Sequence, residues 1–146
     1  MAFYNVYCKR DITTPTDILV KNGDGGDTNV GWFSSSMEFD PAYELNVYEG
    51  DVIKIQLIEN SGIWSLDDII IKNQPDAFSF FVDPLVKTIG DVAMGPKPCT
   101  AITCTVKQGA TNGRDGYLDY LIKYSLIGDG LTSTHWHDPK IRINSK

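Results

Sequence analysis

From Tyr4 to Ile143 one pattern keeps returning: apolar side chains at every second position, broken by Gly, Pro, Asn and Asp. A period of two is that of a β-strand with one buried face, and it cannot make a single apolar stripe on a helix. Tyr4, Val6 and Cys8 share one side of such a strand, while Asn5, Tyr7 and Lys9 share the other. A short apolar run from Asp17 to Lys21 follows, closed by the Gly/Asp cluster Asn22 to Asn29. Tyr43, Leu45 and Val47, then Ile53, Ile55 and Leu57, flank the turn Glu49-Gly50 and predict a hairpin. Trp64, Leu66 and Ile70 fit a helical spacing, but the three isoleucines between Asp68 and Lys72 favour a buried strand because β-branched side chains pack well on a pleated surface. Phe78 to Val82 follows Gln74-Pro75, and Lys87 to Pro98 reads as a long loop crossing between sheets. Ile102, Cys104 and Val106 alternate with threonines. Leu118, Tyr120, Ile122, Tyr124 and Leu126 form the most regular apolar face, and Ile141 and Ile143 close the chain.

Eight or nine short strands, at most one helical turn and no βαβ rhythm predict an all-β fold. The expected architecture is a two-sheet antiparallel Greek-key sandwich of immunoglobulin-like kind, with residues 1–146 as one domain. A chain this long buries roughly 68 to 70% of its unfolded surface and needs no staples. The pairs Asp40-Pro41, Asp83-Pro84 and Asp138-Pro139 sit at apparent strand openings, where a missing N–H costs a ladder least. The net charge of -6, with no basic run longer than Lys9-Arg10, speaks against nucleic acid and anionic membrane surfaces as partners. No apolar stretch approaches the roughly 18 residues of a membrane span, and the opening MAFYNVYCKR lacks the charged and apolar regions of a signal peptide. Cys8, Cys99 and Cys104 leave an odd thiol under any pairing, which suits a reducing compartment; the expected location is cytoplasmic.

His135-Trp136-His137 is the sharpest local feature. Alternate residues of an extended strand point the same way about 6.5 to 7 Å apart, so two imidazoles there can share a zinc or copper ion. A third ligand would have to be a carboxylate or thiol such as Asp138 or Cys99, and neither stands at a recognisable spacing; the plainer reading is a strand end beside a packed Trp. Asp24 and Asp27, among three glycines, offer oxygen ligands to calcium, although they do not follow the EF-hand spacing and are also ordinary turn formers. Trp32 and Trp64, beside Gly31 and Gly62, offer an aromatic platform for a carbohydrate or a partner protein, or else plug the ends of the fold. Cys99 and Cys104, five apart, fall on opposite faces of a single regular strand, which disfavours a disulfide between them. Cys99, beside Pro98, is the candidate reactive thiol, with no base near it in sequence. The chain holds no nucleophile elbow, phosphate loop or dinucleotide fingerprint.

The segment Val47-Tyr48-Glu49-Gly50-Asp51-Val52-Ile53 resembles the Gly-Asp hairpin leading into a central strand of cupredoxin-like sandwiches, and Gly116 to Leu126 with its closing strand is similar to their late part. The resemblance covers about half the chain and does not carry the copper site. The upstream histidine is missing, because no His precedes position 135, and the late strand runs through Ser125-Leu126 with no Cys. Trp136-His137-Asp138-Pro139-Lys140-Ile141 resembles the C-terminal cluster of the bacterial inclusion-body proteins of the AidA and PixA type, with a His inserted between Trp and Asp. That resemblance implies a cytoplasmic β-sandwich that self-associates and carries out no known chemistry.

With no complete catalytic constellation and many strand edges, the leading expectation is a non-catalytic binding or self-associating module whose partner is itself. A metal-binding protein centred on His135 and His137, and a carbohydrate-binding module using Trp32 and Trp64, are the alternatives.

Overall fold

A computed structural model of the chain describes residues 2–11, 18–22, 32, 45–71, 80–82, 85–90, 98–110, 116–128, 131–137 and 140–144. These residues are all-β, with no helix, and the strands run in chain order as β1 Phe3–Arg10, β2 Ile18–Asn22, β3 Leu45–Tyr48, β4 Val52–Leu57, β5 Ser65–Ile71, β6 Val86–Ile89, β7 Cys99–Thr105, β8 Gly116–Gly128, β9 Leu131–His137 and β10 Lys140–Asn144. They form two sheets. The first has the order β2-β1-β4-β7-β6, and the second β3-β10-β8-β5 with β9 also paired to β8.

The alternation read in the sequence becomes rows of core side chains. Val6 stands beside Ile55, which stands beside Ile102, and all three are buried; Tyr4, Ile53 and Cys104 make the next row across β1, β4 and β7. Cys8 continues this face to Val20 on β2. From the second sheet Val47, Leu66, Ile69, Ile122, Tyr124 and Leu126 enter the same buried cluster, so both sheets share one core. Each fully buried aliphatic side chain in it contributes roughly 1.5 to 3 kcal/mol of burial free energy.

The pairing is mixed, which corrects the expectation of antiparallel sheets: β1 runs parallel to β4, and β3 parallel to β10. Parallel neighbours need a crossover between them. The crossover from β1 to β4 passes through β3, in the other sheet. For the same reason the expected hairpin about Glu49-Gly50 does not form, since β3 pairs with β10 while β4 lies between β1 and β7. Glu49-Gly50 is a corner where the chain changes sheets. Gly50 takes φ +89° there, Asp51 N–H donates to Tyr48 O (3.0 Å), and Gly50 N–H donates to Val106 O (2.8 Å).

Two bulges account for further departures from strict alternation. On β5 the register passes from Leu66 opposite Tyr124 to Asp68 opposite Lys123, leaving Asp67 as an extra residue; Leu66 and Ile69, three apart, are therefore both buried. On β7 the partners of Thr88 and Ile89 are Ala101 and Cys99, so Thr100 is extra. That resets the alternation, and Cys99 joins Cys104 in the buried cluster, against the expectation of opposite faces. Both are free thiols, as is Cys8.

Two strands escape the sequence pattern. β6 begins the stretch expected to be a long loop, held by its ladder to β7 although all four of its residues are exposed. β9 and β10 lie along the same edge of β8 in one continuous register, Leu131 to His137 opposite Gly128 to Ile122 and Lys140 to Ile143 opposite Asp119 to Gly116. The described residues thus hold ten strands, against eight or nine expected.

Candidate functional site

The residues singled out in the sequence fall on several elements, and only some of them are described. On β9, His135 pairs with Tyr124 and His137 with Ile122, alternate positions on one extended strand as expected. The side chains of both histidines lie outside the described residues, as do Asp138, Asp24 and Asp27 altogether. Among the described residues no three metal-ligating side chains come together. Trp32 is partly buried against the first sheet. The Lys9 ammonium lies 4.3 Å from its ring centroid and the Lys21 ammonium 5.8 Å, so the indole meets two cations from β1 and β2. Lys21, only 2% exposed, sits opposite Tyr7, on the side of β2 away from the core face that Ile18 and Val20 supply. Trp64 leads into β5, and its N–H donates to Ser125 O (2.9 Å). The two tryptophans serve different sheets.

The paired carboxylates Asp67 and Asp68 separate at the β5 bulge. Asp67 accepts a short hydrogen bond from the Ser125 hydroxyl of β8. Its carbonyl accepts from Lys87 Nζ of β6 (2.7 Å), and nearby Cys99 N–H donates to Ser65 Oγ (2.9 Å). These two contacts join edge strand β5 of one sheet to β6 and β7 of the other, a polar stitch along the line where the sheets meet. Nucleophilic chemistry needs a base beside the hydroxyl or a thiolate. Ser125 faces a carboxylate, and the Cys99 thiol donates to Ala101 O (3.2 Å) with its pKa pushed up by burial. Cys8 and Cys104 are pushed further, each to about 12, by burial and for Cys104 also by the charge of Asp68.

The sheet-changing corner carries a cleft. It has a volume of about 580 Å³ and is lined by Ala2, Tyr4, Tyr48, Glu49, Gly50, Asp51 and Gln108. Asp51 is its anchor. Its Oδ1 accepts the Ala2 N–H (2.9 Å) and its Oδ2 the Tyr48 N–H (2.9 Å), tying the start of β1 to the end of β3. The Tyr4 hydroxyl bonds to the same carboxylate, and the Tyr4 phenol is held above its ordinary pKa of 10.0, first by burial and then by the charge of Asp51 and that bond. Of these lining residues the sequence singled out only Tyr48 to Asp51 as a motif and Tyr4 as a core position. Gln108 comes from the turn after β7, and no local pattern marks it.

The other exposed feature is β6. Among the described residues it is bonded on one side only, to β7, and Val86 and Ile89 are 62% and 50% exposed.

No family model and no curated protein matches the chain. Its structure is similar to the crystal structure of an inclusion body protein, PixA, from Burkholderia cenocepacia J2315, at 12% identity and a TM-score of 0.44, over 99% of this chain and 95% of that one.

Proposed function

We propose that this chain is a non-catalytic Greek-key sandwich that acts by associating with copies of itself. The observation that carries this reading is the β6 edge. A strand bonded on one side presents a row of N–H and C=O groups to any further strand, and proteins that must stay monomeric blunt such edges with charge, proline or a cover. Here Val86 and Ile89 are exposed instead, and the one charged residue of the strand, Lys87, turns its ammonium to the Asp67 carbonyl. The other outer strand of that sheet, β2, buries Ile18, Val20 and Lys21.

Light scattering on the eluting protein across a range of concentrations tests it. Oligomers that dissociate when Val86 and Ile89 are both changed to Lys, with the far-UV spectrum kept, support the reading. A wild-type chain that stays monomeric at the highest concentration, or oligomers indifferent to the double substitution, refutes it.

A further inference from the structure

The exposed edge of β6 has a register that a second copy of the same strand matches. Along an antiparallel ladder each residue turns its N–H and C=O to one side, and successive residues alternate. The Thr100 hydroxyl donates to Thr88 O (3.4 Å) and Gly90 N–H donates to Pro98 O (2.7 Å), so Thr88 and Gly90 turn theirs toward β7. The backbone groups of Lys87 and Ile89 then point outward, where no described strand meets them. A two-fold axis between antiparallel copies passes through the sheet and sets one residue opposite its own counterpart. With Lys87 on the axis two ammonium-bearing side chains oppose each other, which destabilises a sheet. With Val86 or Ile89 there, one of the outward residues must pair beyond the ends of β6. Thr88 on the axis avoids both faults: Lys87 faces the partner's Ile89 and Ile89 the partner's Lys87, so both outward residues exchange their bonds within the strand. It also sets threonine against threonine, a favourable cross-strand pair, and Val86 opposite a glycine.

We propose that two copies of this chain join β6 to β6, antiparallel about a two-fold axis at Thr88, into a closed dimer with one sheet running through both. This rests on the self-association read from the same edge and adds to it the partner strand, the register and the stopping point. The dimer closes because each copy spends the same edge. A head-to-tail contact of β6 with β2, which would propagate a filament, is the poorer match, since β2 buries Ile18, Val20 and Lys21. The Lys87 ammonium, donating to the Asp67 carbonyl of its own chain, lies opposite an apolar side chain in the pair and meets no like charge.

The test is disulfide trapping in the full chain, exposed to oxidised glutathione and run on gels without reductant, beside light scattering. Opposed residues of an antiparallel pair stand about 4.5 to 5.5 Å apart at Cα, inside the range of roughly 4.4 to 6.8 Å that a disulfide spans. Thr88→Cys is expected to cross-link with itself into a species of twice the chain mass. Lys87→Cys and Ile89→Cys are each expected to stay uncross-linked alone and to cross-link when mixed, and the wild type, whose three thiols are all buried, to stay uncross-linked throughout. Ile89→Pro deletes an outward N–H without touching the bonds to β7 and is expected to weaken the dimer at least tenfold with the far-UV spectrum kept. Oligomers seen by light scattering that Thr88→Cys does not trap, self-linking of Lys87→Cys, or a mass that keeps growing past two chains would each overturn the β6 pairing while leaving self-association standing. A chain monomeric at every concentration would overturn both.

Discussion

Asp51→Ala removes the acceptor for two backbone N–H groups at once, and the structure sets the size of the effect. The lost bonds, from Ala2 and from Tyr48, are each 2.9 Å long and end on a charged oxygen. Hydrogen bonds to charged groups contribute about 1.5 to 3 kcal/mol each, and a donor left buried without a partner costs a similar amount. Both N–H groups are only partly buried and border the cleft, so water can reach them, and the lower end applies: about 3 kcal/mol in all. Asp51→Asn keeps one acceptor oxygen but turns an NH₂ toward the other donor, and about half of that loss is expected. Urea denaturation followed by tryptophan fluorescence reads both variants. The midpoint should fall in the order wild type, Asn, Ala, with the slope unchanged if the native state stays compact. A loss below about 1 kcal/mol for Asp51→Ala, the worth of an ordinary surface contact, would refute the claim that this carboxylate holds the corner.

Alkaline pH probes the core. With Cys8 and Cys104 each near 12 folded against 9.0 for a free thiol, their neutral forms are favoured in the native state; the stability this gives is full below pH 9 and is lost as pH rises toward 12, amounting to about 3 kcal/mol for the pair by pH 10. Denaturation midpoints measured between pH 8 and 10 should fall less steeply in Cys104→Ala than in wild type, and parallel slopes would contradict the assignment. Gly50→Ala and Gly109→Ala both force a side chain into positive φ; a Cβ at Gly50 meets only the far end of the exposed Gln108 side chain, Nε2 at 2.7 Å, and one at Gly109 meets nothing within 4 Å, so both variants should lose a similar amount, about 1 to 2 kcal/mol, in the same denaturation assay. Ser125→Ala leaves the Asp67 carboxylate at the β5 bulge without its hydroxyl donor and should cost about 1 to 3 kcal/mol, read by thermal melting with Thr103→Ala on the first sheet as a control.

What the sequence made legible is what depends on one strand at a time. The faces of β1, β4 and β8 follow from alternation alone, and their buried apolar members, Val6 and Cys8, Ile53 and Ile55, and Ile122, Tyr124 and Leu126, are those the pattern picks out. What it missed depends on partners. Tyr43 to Leu57 carries the same alternation whether Glu49-Gly50 closes a hairpin or turns a corner between sheets, because the difference lies only in where the ladder bonds go: from β3 to β10 and from β4 to β1 and β7. A bulge is likewise silent until the opposite strand fixes the register, as Thr100 does for Cys99. β6 failed for another reason: its β-branched Val86, Thr88 and Ile89 fit a strand, but nothing on it is buried, so no apolar face marked it. The cleft was legible only at its corner, since its walls gather from β1, from the β3 to β4 turn and from Gln108 beyond β7.

The same corner shows what a change of sheets demands of the backbone. A chain that changes sheets between consecutive strands must bend where neither ladder supplies partners, so the backbone donors there need an acceptor from a side chain. Asp51 meets that need for Tyr48 and Ala2, and a carboxylate, acceptor at both oxygens, is the residue type suited to two donors at once. Bending the chain outward at Gly50 also opens a hollow above the carboxylate, bounded by whatever side chains flank the turn. The position of the carboxylate is therefore fixed by folding, while Tyr48 and Glu49 contribute nothing to the ladder of β4. Asp51 is thus a residue demanded by the backbone, its two oxygens standing in for the ladder partners that the change of sheets takes away.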